Sequence, residues 1–265
     1  MLRFLKLLGK KMKSYILSVW IVGLIFESVL LARACLTQWF RKYPLFSAYL
    51  VCVFIQDIFF LSVYLFQFTY YAPIYWYAEF FSLLLGCAVT WEIFRLVLGR
   101  YPGAGRMARN VLLFALILVV AKQLGEASAG VPTWPTTAVE LERNLRGIQA
   151  VSLIVLAFLS VYYMIPIGRN VRGIFAGYGL FVATSVITLT LRTALGGAFQ
   201  TEWTFLQPLS YIVVLAIWCS SLWEYQLASS TELPSKLEED YQSLAMVTRK
   251  GFVQARAFLG KSLRP

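Results

Sequence analysis

Residues 45–66, LFSAYLVCVFIQDIFFLSVYLF, decide the fold. The run has 22 residues and one charged side chain, Asp57. At a rise of about 1.5 Å per residue, about 20 apolar residues cross a hydrocarbon core of about 30 Å. The run does not alternate with period two, so it is not a strand of a membrane β-barrel. A helix is the remaining way to satisfy its backbone in lipid. Similar runs stand on either side, and the spans are read as 15–34, 45–66, 74–97, 110–122, 147–167, 173–195 and 205–228. The expected fold is all-α: a polytopic membrane protein built as a seven-transmembrane-helix bundle. Composition agrees, with 59% of 265 residues hydrophobic and 14% charged, where soluble domains carry about 25% charged residues.

The fourth run is the weakest. Its core, NVLLFALILVVA, has only 12 residues and crosses only if Arg109 and Lys122 extend to the two interfaces. Connections are short except for 123–146, where Pro132, Trp134 and Pro135 break a helix and Thr137-x-x-Glu140 forms a capping box opening the fifth span. This loop is long enough to act as a lid. Residues 229–265 form a polar tail in which Pro234 and Ser235-x-x-Glu238 predict a helix with Leu237, Tyr241 and Leu244 on one side. Farther on, Arg249, Lys250, Arg256, Lys261 and Arg264 are interleaved with Phe252, Val253, Phe258 and Leu259, the pattern of a basic amphipathic helix on anionic lipid. A solvated tail is the plainer alternative.

Charge orients the chain. With the N-terminus outside and the C-terminus cytoplasmic, 15 of 24 Lys and Arg lie inside, among them Arg33, Arg41, Lys42, Arg95, Arg100, Arg106, Arg109, Arg169 and Arg172. The basic segment 1–14 opposes this, since Arg3, Lys6, Lys10, Lys11 and Lys13 precede the first span. A start of translation at Met12 leaves only Lys13 outside and removes the conflict. An outer belt is marked by Tyr64, Phe66, Phe68, Tyr70, Tyr71, Tyr75, Trp76 and Tyr77, whose rings suit the headgroup level or, alternatively, a ligand-stacking platform.

The chain has no histidine, which excludes Ser-His-Asp triads, histidine-ligated haem and zinc-protease motifs. Its four cysteines, Cys35, Cys52, Cys87 and Cys219, lie in or beside apolar runs without CxxC spacing and read as core residues. No metal, cofactor, catalytic motif or nucleic-acid partner is implied; the expected partners are the bilayer, anionic lipid at the tail and a cytoplasmic protein.

A weak internal repeat runs through the bundle. Phe46-x-x-Tyr49-x-x-x-Val53 recurs as Phe175-x-x-Tyr178-x-x-x-Val182 at an offset of 129, and Cys87-x-x-x-Trp91-Glu92 as Cys219-x-x-x-Trp223-Glu224 at 132. Both pairings join helices of the same direction, so a 3+1+3 parallel pseudo-repeat is one reading and coincidence between aromatic-rich helices the other. On the first reading Trp91, Glu92, Trp223 and Glu224 are inner-interface anchors, with carboxylates toward cytoplasmic water or Arg95.

Charge within a span costs about 2.5–3.5 kcal/mol on insertion scales, so such residues face the bundle interior. Glu27, Asp57, Glu79 and Arg192 qualify. Glu79 and Arg192 sit at similar depth, and Glu142 and Arg146 share a helix face with Gln149. Two readings follow: an outer ligand pocket of Glu79, Arg192, Glu142, Arg146 and Gln149 roofed by the 123–146 loop, or structural ion pairs. Asp57 is the candidate for carrying a proton or cation, and Glu27 for pairing with Arg33 or Arg95. Gly173, Gly177 and Gly179 predict close helix packing.

In KYPLFSAYL (42–50), YWYAEFFSLLLG (75–86), TWEIFRLVLGRYPG (90–103) and LERNLRGIQ (141–149), the chain resembles uncharacterised bacterial seven-helix membrane proteins over nearly its full length. The resemblance implies a multi-pass protein of the bacterial inner (cell) membrane. The topology is also similar to the seven-helix input modules of bacterial sensor kinases. The seventh span has no lysine for a retinal Schiff base, which excludes a rhodopsin. The functional expectation is a receptor-like or scaffold module that binds a small ligand or lipid at its outer side and acts through a partner. The alternative is a small-solute transporter; an enzyme is not expected.

Overall fold

The computed structural model describes residues 2–37, 39–66, 71–128, 134–195, 200–224 and 236–262. It leaves out the side chains of 2–14, 64–66, 71–77, 126–128, 134–139, 200–205 and 251–262, and those of Ile16, Gln123, Leu124, Arg192, Thr193 and Leu195. The basic side chains before the first span, the aromatic belt and the end of the tail therefore lie outside the description. Among the described residues the order is α1 (Leu2–Thr37), α2 (Trp39–Lys42), α3 (Pro44–Phe66), α4 (Tyr71–Leu98), α5 (Pro102–Ser128), α6 (Trp134–Tyr162), α7 (Arg169–Leu195), α8 (Gln200–Leu222) and α9 (Lys236–Ser262).

Among the described residues, six helices are long and apolar enough to cross a membrane, over Leu17–Thr37, Pro44–Val63, Ala78–Leu98, Pro102–Lys122, Glu140–Tyr162 and Arg169–Leu191; α8 holds a shorter apolar stretch, Leu206–Leu222. Their outward faces are apolar, as at Ile25, Ile55, Val151 and Phe114, the last 63% exposed. A surface of this kind requires hydrocarbon around it.

The helices close on themselves. α1 packs on α3, α3 on α4, α4 on α6, α6 on α7, α7 on α8, and α8 back on α1, while α4 and α7 also touch. The result is a ring of six helices. α5 stands outside it against α4 and α6, and α9 leans on α5. The most extensive contact, α7 on α8, depends on two glycines. A Cβ on Gly173 would collide with Ser221, and one on Gly177 with the Trp218 indole. Gly179, on another face, meets nothing. Two of the three glycines thus perform the close packing expected of them.

Local chemistry sets the helix ends. Pro44 opens α3, a position where a missing N–H costs nothing. The next two amides, Leu45 N and Phe46 N, donate to the Glu92 carboxylate at 3.3 and 2.7 Å. A buried carboxylate from α4 thus caps α3, satisfying orphan donors at the positive end of the helix dipole. α6 ends at Tyr162 in a Schellman motif: Ile165 N donates to Ser160 O at 2.9 Å and Met164 N to Val161 O at 3.2 Å. Met164 takes φ 48°, the left-handed conformation usually left to glycine.

Three boundaries differ from expectation. α5 begins at Pro102, eight residues before 110, so the fourth span is full length. Its polar first turns are satisfied locally, with Gly105 N on Tyr101 O and Arg109 Nε on Gly105 O. Most of the 123–146 segment, expected as a loop, is helical. α5 runs to Ser128 and α6 starts at Trp134, because Pro135 in a first turn does not break a helix. The fifth span ends at Tyr162, not 167, where the Schellman turn and Pro166 stop it. The tail helix does form: Leu237 is buried, and the Glu238 carboxylate accepts Gly103 N at 3.2 Å.

Candidate functional site: a polar cavity inside the ring

Helical periodicity aligns polar and aromatic side chains toward the ring interior. On α1, Trp20, Gly23 and Glu27 share a stripe, and on α3 Tyr49, Val53, Gln56 and Phe60 share another. All of these but Glu27 line a cavity of about 510 Å³, together with Asp57 (α3), Glu79 and Ser82 (α4), Arg146 (α6), Phe181 (α7) and Gln207, Pro208 and Tyr211 (α8). All six ring helices contribute. Pro208 lies inside α8 and removes one backbone donor from the cavity wall.

Arg146 is the electrostatic centre. Its residue is only 4% exposed, and an unpaired cation there would cost several kcal/mol. Two carboxylates offset that cost, Glu142 at 3.4 Å from Nε and Glu79 at 3.6 Å from Nη2. The guanidinium also lies 4.8 Å from the centre of the Phe181 ring, within cation–π range. One turn deeper, Gln149 Nε2 donates to Cys87 Sγ at 3.1 Å and its Oε1 accepts the Tyr178 hydroxyl at 3.3 Å. Tyr178 meets Tyr49 edge to face at 6.0 Å.

The opposite wall is acidic. The Tyr211 hydroxyl donates to Glu27 Oε1 at 2.6 Å, and the Asp57 carboxyl stands beside Glu27 and near the Trp20 indole. Gln56 donates to Ala78 O at 3.0 Å and accepts the Ser82 hydroxyl at 2.5 Å. This clamp joins α3 to α4 at the cavity edge.

The expected residues are brought together in part. Glu79, Glu142 and Arg146 form one cluster, with Gln149 beneath it, and Asp57 lines the same cavity. The Arg192 side chain is outside the described residues, and Glu79 is paired with Arg146. Glu27 meets Tyr211 and Asp57, not Arg33 or Arg95. Arg33 donates to Trp223 O at 2.7 Å and stacks on that ring at 4.2 Å, while Arg95 pairs with Glu92 at 3.1 Å. Of the four anchors, Trp91 is half-buried near Arg109, and Trp223 and Glu224 are exposed. Glu92 is buried at the α3 N-terminus, turned away from water because two amides need its charge there.

Sequence reasoning missed Trp20, Gln56, Tyr49, Phe181 and Tyr211. The stripes at i, i+3 and i+7 on α1 and α3 carried that signal, but apolar and aromatic residues at such spacing also describe ordinary packing.

Comparison with protein-family models, with curated proteins and with solved structures finds no match to this chain.

Proposed function

We propose that the chain is a receptor-like membrane module of seven transmembrane helices that binds a small organic cation in the ring cavity and acts through a partner at its basic inner surface. One observation carries the ligand class. Among the described residues, Asp57 and Glu79 line the cavity against a single cation, Arg146, which Glu142 already balances, and Trp20, Tyr49, Phe60 and Phe181 supply aromatic walls. Carboxylates and ring faces together are the chemistry that holds ammonium groups. The seventh crossing is α8, whose 23 residues pack along α1 and α7. The N-terminus lies outside and the tail at the cytoplasmic face of the bacterial inner membrane, where its basic end meets anionic lipid.

Titration with tetramethylammonium, choline and a primary alkylamine, followed by calorimetry, tests this reading. Saturable binding weakened at least about tenfold by Asp57→Asn or Glu79→Gln is expected, corresponding to about 1.4 kcal/mol. No saturable binding by any of the three, or binding indifferent to both substitutions, would overturn it.

A small-solute transporter is the second reading, and the ring favours it. The units α1, α3, α4 and α6, α7, α8 meet through two corresponding contacts, α1 on α8 and α6 on α4. Tyr49 and Tyr178, matched in the internal repeat, touch each other between the units. This supports a 3+1+3 arrangement with α5 as the outer linker. Gradient-dependent uptake of labelled tetramethylammonium into proteoliposomes would select the transporter.

A further inference from the structure

Glu27 has a peculiar environment for a carboxylate inside a membrane. It is only 1% exposed; Oε1 accepts the Tyr211 hydroxyl, and Oε2 has no hydrogen-bond partner. The carboxyl beside it is that of Asp57, which lines the cavity. The nearby cations are engaged elsewhere: Arg33 by the Trp223 carbonyl and ring, Arg146 by Glu79 and Glu142. Around the pair, α3 contributes Asp57 and Tyr49, α8 contributes Tyr211, and across the cavity stand Glu79 of α4 and Arg146 of α6. No cationic side chain among the described residues touches either carboxyl.

We infer that Glu27 and Asp57 form a proton-binding site in the wall between α1 and α3, one exchangeable proton bridging the two carboxyls. Like charges in contact disfavour double ionisation, and an unmatched buried charge costs several kcal/mol. A shared proton removes one charge and supplies the missing partner of Glu27 Oε2. A metal cation fits poorly, because hard cations take about six or more oxygen ligands. α1 and α3 run through the site as continuous helices, so their carbonyls are committed to the backbone ladder. The proton arrives from water in the cavity, binds a carboxylate oxygen of Asp57 and is shared with Glu27. Loading requires no redox partner.

Infrared spectroscopy of the full chain in vesicles of zwitterionic lipid tests the assignment. The expected result at neutral pH is one protonated-carboxyl C=O band that shifts on transfer to D₂O. Glu27→Gln, which keeps an acceptor for Tyr211, and Asp57→Asn are each expected to abolish or displace it, while Glu142→Gln leaves it in place. Absence of the band in the wild-type chain, or its survival in both variants, overturns the inference. If a variant fails to fold, the wild-type chain still decides. A band unchanged between potassium and sodium buffers supports a proton site, and its loss in sodium assigns the pair to a metal cation.

Discussion

At the residue scale, charge inside an apolar run is an anomaly that sequence alone exposes, and Glu27, Asp57 and Glu79 were legible for that reason, while Glu142 and Arg146 were legible from their i,i+4 spacing on one helix face. Their partners were not. Glu79 at one end of α4 could meet any cation at its depth, and whether Arg146 or Arg192 fills that role depends on how α6 and α7 are rotated. Hydropathy carries no information about such rotation. The buried Arg146 leads to a definite expectation. Arg146→Met leaves Glu79 and Glu142 facing each other without a counter-charge, and breaking a buried pair from one side costs about 3–5 kcal/mol. Glu79 is partly exposed, with 28% of its side chain accessible, so the lower end of that range applies. Adding Glu79→Gln to Arg146→Met is expected to restore part of the loss. Thermal unfolding in detergent of the single and double variants measures both effects, and additivity would show that the residues do not interact.

At the element scale, the short fourth span and the long 123–146 loop were misread for the same reason. Polar residues at a helix end look like a loop when read by hydropathy, yet Arg106 and Arg109 in α5 and the 134–146 stretch of α6 are helical. At such an end the backbone remains hydrogen-bonded in the helix while a side chain such as Arg106 stays exposed. The tail helix was legible because its apolar face is periodic, although the surface that receives it was not. α9 docks through Glu238 on Gly103 N and through the Tyr163 hydroxyl, which donates to Asp240 Oδ2 at 3.0 Å. The Asp240 carboxylate beside it raises the Tyr163 phenol above its ordinary value, with a smaller contribution from burial. A raised pKa on an acid means that the docked state favours the neutral phenol. This contribution is complete below the ordinary tyrosine pKa and is lost as pH rises through the raised one. Limited proteolysis of α9 is therefore expected to accelerate in alkaline buffer for the wild-type chain. In Tyr163→Phe it should be faster at neutral pH and lack that alkaline step.

At the scale of the whole molecule, the runs of apolar residues predicted a helical membrane bundle, but the ring could not be read from them. Which helices are neighbours is decided by contacts such as Gly177 with Trp218 and Phe46 with Trp218, far apart in sequence. Those contacts also collect helix ends. The start of α3 meets the end of α4 through Glu92, and the start of α7 meets the end of α8 through Asn170 Nδ2 on Glu224 O at 2.9 Å. The start of α5 and the turn after α6 meet α9. One pole of the bundle therefore holds Arg106 and Glu224, and the far end of α5, with Gly125, points to the other. Single cysteines at these three positions, in a chain whose native cysteines are replaced by alanine, turn this geometry into a labelling pattern. In right-side-out vesicles a membrane-impermeant maleimide is expected to modify Gly125→Cys, and to modify Arg106→Cys and Glu224→Cys only after the vesicles are opened. Glu224→Cys labelling together with Gly125→Cys would mean that α8 does not cross, leaving six spans. Inversion of the whole pattern would preserve the ring but place the pole richest in lysine and arginine outside, against the charge distribution that orients membrane helices.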